Sequence, residues 1–211
     1  MQNHEALLLL APAPILALLA VRGDTQSTLT PAQMQEDLFR LTEEFESLHA
    51  GLLRYTSREE LDEAFGDTLF ELEDDRTELE FYRRVAALVS KVRCGHTRAQ
   101  PNPRVRAVAE SRRGLLPIEV FLRNDRLFIV RSLDGSLSPG TEILSIDGIS
   151  IAAICDAAFA HMSSDGFNET FKERQLERSF ARTHALLVQQ AVRVPSWSRS
   201  QEGPSRCASR E

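Results

Sequence analysis

Three short motifs in the first half of the chain carry the chemistry that starts a helix. Thr30, Ser57 and Thr77 each stand three residues before a Gln or Glu, in the segments TPAQ, SREE and TELE. In such a capping box the two side chains bind backbone N–H groups that lack partners at a helix start. Apolar residues at helical spacing follow each motif, and in the first helix they are Met34, Leu38, Leu41, Phe45 and Leu48. The sequence therefore predicts a three-helix bundle between about Thr30 and Cys94.

After Pro103 the apolar residues recur with the period of a strand instead. The segment LPIEVFLRNDRLFIV alternates around Asn124 and Asp125, residues that tolerate the left-handed backbone of a tight turn, so it predicts a β-hairpin. A strand over Glu142–Ile146 should follow. Two further helices are expected, one capped by Ser150 and one from about Glu169 to Gln190 with Phe171, Leu176 and Phe180 facing inward. The predicted fold class is α+β.

The two ends of the chain differ in composition from the middle. An apolar run from Ala6 to Ala20 is shorter than the roughly 20 residues that span a bilayer. It resembles the core of a secretory signal, although no Lys or Arg precedes it. We predict either a signal peptide with a secreted or periplasmic location, or an N-terminal extension of a cytoplasmic protein. From Arg193 the residues are mainly Ser, Arg, Pro and Gly with no apolar period, and we expect disorder.

Charge and composition exclude several classes of partner and cofactor. The net charge of −6 disfavours nucleic acid and anionic membranes, because both need a basic surface. The three cysteines are far apart in sequence, and no two histidines have the spacing that places metal ligands on one helix face. We therefore predict no metal site and no cofactor.

His96 is the residue that most invites a catalytic interpretation. It follows Cys94 and Gly95 at the predicted end of the third helix, where Gly95 suits the left-handed position beyond a helix terminus. An imidazole held there can serve as a general base. Two alternatives remain from position alone. His96 can bind loose helix carbonyls without catalysis, or Cys94 and His96 can form a catalytic dyad, which their closeness in a turn disfavours.

Several segments together resemble the front half of the tail-specific serine proteases, the C-terminal-processing and tricorn-like peptidases. In order they are the stretch that begins LTPAQMQEDLF, then TELEFYRRVAALVSKVRCGHTR, the hairpin segment, GTEILSIDGISI and SSDGFNETFKERQLE. The resemblance runs from about Leu29 to Leu187. It implies a helical N-terminal domain over 29–100, then an abbreviated PDZ-like segment and the start of a catalytic domain over 101–187. Residues 1–28 would be the signal or extension, and 188–211 the disordered tail.

The resemblance also implies site residues and a function. His96 matches the catalytic His of a family motif similar to DGHT, although Cys94 stands where an Asp is usual. The family's nucleophilic serine would follow Leu187, where this chain leaves the pattern, so we expect a peptidase-like chain that is inactive as it stands. A PDZ-like module would bind a polypeptide substrate or C-terminal peptide near Leu115, Leu116 and Ile118. The alternatives are a non-catalytic peptide-binding module built from the same parts and a truncated product.

Overall fold

The computed structural model describes residues 27–111 and 115–188, and the backbone of residues 197–199. In these ranges the chain forms six α-helices, a π-helical turn and seven strands arranged in two antiparallel sheets. The α+β class predicted from the sequence is confirmed.

All three predicted capping boxes form. They start α1 (Pro31–Leu48), α2 (Arg58–Phe70) and α3 (Glu78–Ser90), and at each start the capping hydroxyl accepts a hydrogen bond from the backbone N–H three residues on. Short strands β1 (Thr28–Leu29) and β2 (Arg76–Thr77) pair in front of α1 and α3. The local cap chemistry thus determined where each helix begins.

The first three helices bury a common apolar cluster. Its buried members are Met34, Leu38, Leu72, Phe81 and Leu88. The predicted inward stripe of α1 ends early, because Leu48 at the last turn is 77% exposed. The buried face of α1 is therefore centred on the first half of the helix.

A fourth helix, α4 (Pro103–Ser111), was not predicted. The sequence Asn102-Pro103 is a typical helix start. In the structure the Asn102 side chain accepts a hydrogen bond from the Val105 N–H at 2.8 Å, and Pro103 occupies the first helical position. Val105 and Ala109 pack against Leu79. This helix lies between α3 and β3, where the sequence predicted a direct change from helix to strand.

The second half of the chain forms an antiparallel sheet. Strands β3 (Ile118–Arg123) and β4 (Arg126–Ser132) make the predicted hairpin. Its turn residues Asn124 and Asp125 have φ of 50° and 56°. Strand β5 (Glu142–Ile146) confirms the predicted strand, and β6 (Ile149–Ser150) pairs with it across the Asp147–Gly148 turn.

Two helices cover one face of this sheet. Ser150 caps α5 (Ile151–Phe159), as predicted, and Asn168 caps α6 (Glu169–Thr183). A π-helical turn (His184–Val188) extends α6. Leu176 and Phe180 are buried in the sheet's apolar core as expected, but Phe171 in the first turn of α6 is 46% exposed and does not belong to that core.

The ends of the chain add two observations. Strand β7 (Trp197–Arg199) pairs antiparallel with β5, so this part of the tail differs from the disorder expected from its composition. A strand pairs through its backbone and needs no apolar period of its own. The apolar run at residues 6–20, and residues 189–196 and 200–211 of the tail, lie outside the described residues. Within the described ranges, no helix is long and apolar enough to cross a membrane.

Candidate functional site

His96 lies in the loop between α3 and α4, and the left-handed residue of this loop is not the predicted one. Arg93 has a φ of 53°, whereas Gly95 does not have a positive φ. The Arg93 guanidinium donates to the backbone oxygen of Tyr55 at 2.8 Å, which holds this conformation in place. Gly95 instead allows the loop to lie close to Asp165, since a Cβ at position 95 would lie 3.4 Å from the Asp165 carboxylate.

Two hydrogen bonds join the His96 loop to the segment that follows α5. The Gly95 N–H donates to Asp165 Oδ1 at 2.8 Å, and the Gly166 N–H donates to the Arg93 backbone oxygen at 2.9 Å. The Thr97 N–H donates to the Cys94 oxygen at 3.0 Å and closes a turn around His96. These bonds place the loop and Asp165 against each other.

Three side chains with different ligand atoms converge at this junction. The thiol of Cys94, a ring nitrogen of His96 and a carboxylate oxygen of Asp165 all lie within 4.8 Å of one another. Cys94 is partly buried, and His96 and Asp165 are exposed. The spacing of residues along the chain predicted no metal site, because Asp165 is far from His96 in sequence.

His49 also contacts the loop, and the sequence did not predict this contact. Its Nε2 lies 2.7 Å from the Thr97 hydroxyl. Its Nδ1 is buried and has no hydrogen-bond partner among the described residues. Nothing in the sequence near His49 signals this contact, because it joins the end of α1 to a loop two helices later.

Among the residues that the structure describes, no serine nucleophile is assembled at His96. Within residues 27–111 and 115–188, no side chain forms a hydrogen bond with the His96 imidazole. Ser163 and Ser164 are both buried, and the Ser164 hydroxyl donates to the Gly166 backbone oxygen. His96 is therefore an exposed imidazole whose described neighbours with reactive groups are Cys94 and Asp165.

Burial shifts the pKa of two other titratable side chains. Burial raises the pKa of the Cys155 thiol to about 12, so it stays protonated inside the sheet core. His161 is partly buried, and burial lowers its pKa, so its neutral form is favoured.

The three residues predicted to bind peptide are separated by the fold. Leu115 is 41% exposed, but Leu116 and Ile118 belong to the core of the sheet. The Ile118 N–H donates to the Leu116 oxygen at 2.8 Å, so it does not face outward for an added strand. Side-chain contact between a peptide and Leu116 or Ile118 would require this core to open.

A basic groove lies between the His96 loop and α6. It has a volume of about 700 Å³, and its lining includes Arg98, Phe171, Arg174, Gln175 and Arg178. Arg174 is paired with Glu177 at 2.8 Å. Arg98 and Arg178 are exposed, and neither has an ion pair or hydrogen bond within the described part of the chain. The groove therefore presents two cations that no described residue compensates, on a protein whose net charge is −6.

Neither a scan against models of protein families nor a search of curated proteins found a match to this chain. The resemblance to tail-specific peptidases therefore rests on the residues of this chain alone.

Proposed function

We propose that this chain is the peptide-handling part of a tail-specific-peptidase-like protein, and that it binds the C-terminal end of a polypeptide without hydrolysing it. The observation that carries the proposal is the basic groove beside the His96 loop, with Arg98 and Arg178 free of protein partners among the described residues. The parts that support the resemblance are the three capped helices, which we assign to the N-terminal bundle, and the β3–β6 sheet with α5, which we assign to the PDZ-like segment.

The lining of the groove suits a terminal carboxylate and an apolar side chain. A guanidinium binds a carboxylate through paired, charge-assisted hydrogen bonds. Phe171 offers an exposed ring at the same surface, and the buried Gln175 Oε1 has no hydrogen-bond partner in the described residues. Gln175 lines the groove, and its side-chain amide can bond to a peptide backbone once it turns toward the ligand. Because Arg98 lies two residues after His96, a bound chain end would pass close to the imidazole.

Hydrolysis by the serine mechanism is not expected from this geometry. A general base accelerates acyl transfer only when a nucleophile lies within hydrogen-bond reach of it. In a well-studied serine protease, loss of the nucleophile lowers turnover by about 10⁶. His96 has no serine partner among the described residues, so it is left without the group whose proton it would accept.

The alternative function is a non-catalytic peptide-binding module built from the same helical and PDZ-like parts. It makes the same prediction for binding, because the groove is the same. The two differ in the role of His96, which is a former catalytic base in the first proposal and an unrelated loop residue in the second.

Binding can be measured by fluorescence anisotropy with a labelled unstructured peptide that ends in apolar residues. We expect the free-carboxylate peptide to bind at least roughly tenfold more tightly than its amidated form, a difference of about 1.4 kcal/mol. Arg98→Gln and Arg178→Gln should each remove much of that difference. Arg40→Gln, at an exposed position of α1, is the matched control and should have no effect. Equal binding of the two peptides would exclude the groove as a carboxylate site.

The absence of hydrolysis is checked with the same peptide by mass spectrometry after prolonged incubation. We expect no cleavage that depends on His96. Cleavage that disappears in His96→Ala and is blocked by a serine-directed inhibitor would contradict the proposal. Cleavage blocked instead by iodoacetamide and lost in Cys94→Ser would contradict it as well, in favour of a thiol nucleophile.

A further inference from the structure

The junction between the His96 loop and Asp165 holds a ligand set that the peptide-binding proposal does not use. Cys94, His96 and Asp165 contribute one sulfur, one nitrogen and one oxygen donor, all within 4.8 Å of one another. This mixture is typical of sites for borderline-soft divalent transition metals, since magnesium and calcium prefer oxygen ligands alone. We propose that these three residues bind one zinc-like divalent transition-metal ion.

The distances are within reach of coordination. A tetrahedral zinc ion with bonds of about 2.0–2.3 Å holds its donor atoms roughly 3.3–3.8 Å apart. The distances between the three donor atoms, which are at most 4.8 Å, therefore need to shorten by no more than about 1–1.5 Å. His96 and Asp165 are exposed, so rotation of their side chains can supply this movement without a change in the packed core.

The backbone contacts around the three residues hold the ligands ready. Asp165 Oδ1 is already bound by the Gly95 N–H, which leaves Oδ2 to face a metal. The bond from the Gly166 N–H to the Arg93 oxygen ties the Asp165 segment to the loop on the other side of Cys94. Partners of this kind orient the ligands of protein metal sites and strengthen binding. The glycine at 95 is part of this arrangement, because the Asp165 carboxylate lies 3.4 Å from where a Cβ would be.

The charges also balance. On binding, Cys94 loses its thiol proton to solvent and forms a bond from sulfur to the metal. The thiolate and the Asp165 carboxylate then neutralise a divalent ion, and neutral His96 adds a third bond. Three protein ligands leave the fourth tetrahedral position open, as in metal sites that bind water or a substrate group rather than purely structural ones. Arg98, which lines the basic groove, follows on the same loop.

The test uses the full chain after removal of metal with a chelator, followed by titration with Co²⁺ as a spectroscopic probe and with Zn²⁺ by calorimetry. We expect one equivalent of Co²⁺ to produce a thiolate-to-cobalt charge-transfer band, and one equivalent of Zn²⁺ to abolish it. Cys94→Ser should remove the band, while Cys207→Ser should leave it unchanged. His96→Ala should weaken Zn²⁺ binding by more than about tenfold, since even the outer partners of metal ligands contribute 10–100-fold.

Asp165→Asn separates coordination from loop structure. The amide oxygen still accepts the Gly95 hydrogen bond, whereas the anionic ligand is lost, so Zn²⁺ affinity should fall while the circular dichroism spectrum and the melting temperature stay the same. The proposal is overturned if no charge-transfer band forms, if the band survives in Cys94→Ser, or if Asp165→Asn and His96→Ala bind Zn²⁺ as tightly as the parent chain. None of these results depends on whether peptide binds in the groove.

Discussion

The carboxylate of Glu177 on α6 accepts a hydrogen bond from the backbone N–H of Leu122 on β3, with 2.8 Å between Oε1 and the nitrogen. Among the described strands, β3 lies at the edge of the sheet and pairs with β4 alone. Edge strands carry unpaired backbone groups that can bind other strands. The glutamate therefore covers one such group and joins the helix to the edge of the sheet.

Removal of this carboxylate should destabilise the fold. Glu177 has a side chain that is only 12% exposed, and Arg174 also donates to it. Glu177→Ala should lower the free energy of unfolding by about 1–3 kcal/mol, because it leaves the Leu122 N–H without an acceptor. Urea denaturation followed by circular dichroism measures this. Glu173→Ala on the same helix is the control and should change the value by less than about 0.5 kcal/mol; equal losses in both variants would mean that the bond to Leu122 contributes nothing.

Two glycines should respond oppositely to the same substitution. Gly166 has a φ of +59°, and a Cβ there would lie 3.3 Å from the Tyr55 ring. Gly166→Ala should cost about 1–2 kcal/mol, since an L-residue is strained in the left-handed region. Gly66 lies within α2, and no described residue comes within 4 Å of where its Cβ would be, so Gly66→Ala should stabilise the protein by about 0.5–1 kcal/mol. Thermal melts of the two variants check this, and a stabilising Gly166→Ala would show that the loop takes another conformation.

Asp134 should titrate at unusually low pH. The hydroxyl of Ser132, and the backbone N–H and hydroxyl of Ser136, donate to its carboxylate and lower its pKa from 3.8 to about 2. Because the folded pKa lies below the ordinary value, this turn is stabilised above about pH 4, and the stabilisation is lost as the pH falls through 2. A pH titration of the carboxyl carbon by NMR should show this midpoint. Ser136→Ala should raise the pKa, and an unchanged midpoint in that variant would show that the hydroxyl does not bind the carboxylate.

The helix starts and the hairpin turn were predicted correctly from the sequence, because residues close together in the chain form them. Thr30 and Gln33 cap the first helix by themselves, and Asn124 and Asp125 adopt the left-handed turn through their own backbone preference. The cap at Asn102 was equally local and could have been recognised. Such interactions span three or four residues, so the chain does not need its tertiary fold to specify them.

The tertiary structure alone decided which distant residues meet. It placed Asp165 against Gly95, His49 against Thr97, and Leu116 and Ile118 inside the core. It also left Leu48 and Phe171 exposed, although each has the spacing of an inward residue. An amphipathic pattern predicts which face of a helix is apolar, but it does not predict how much of that face the neighbouring element covers. Contacts between segments far apart in sequence depend on the packing of whole elements, and no local pattern in the chain encodes them.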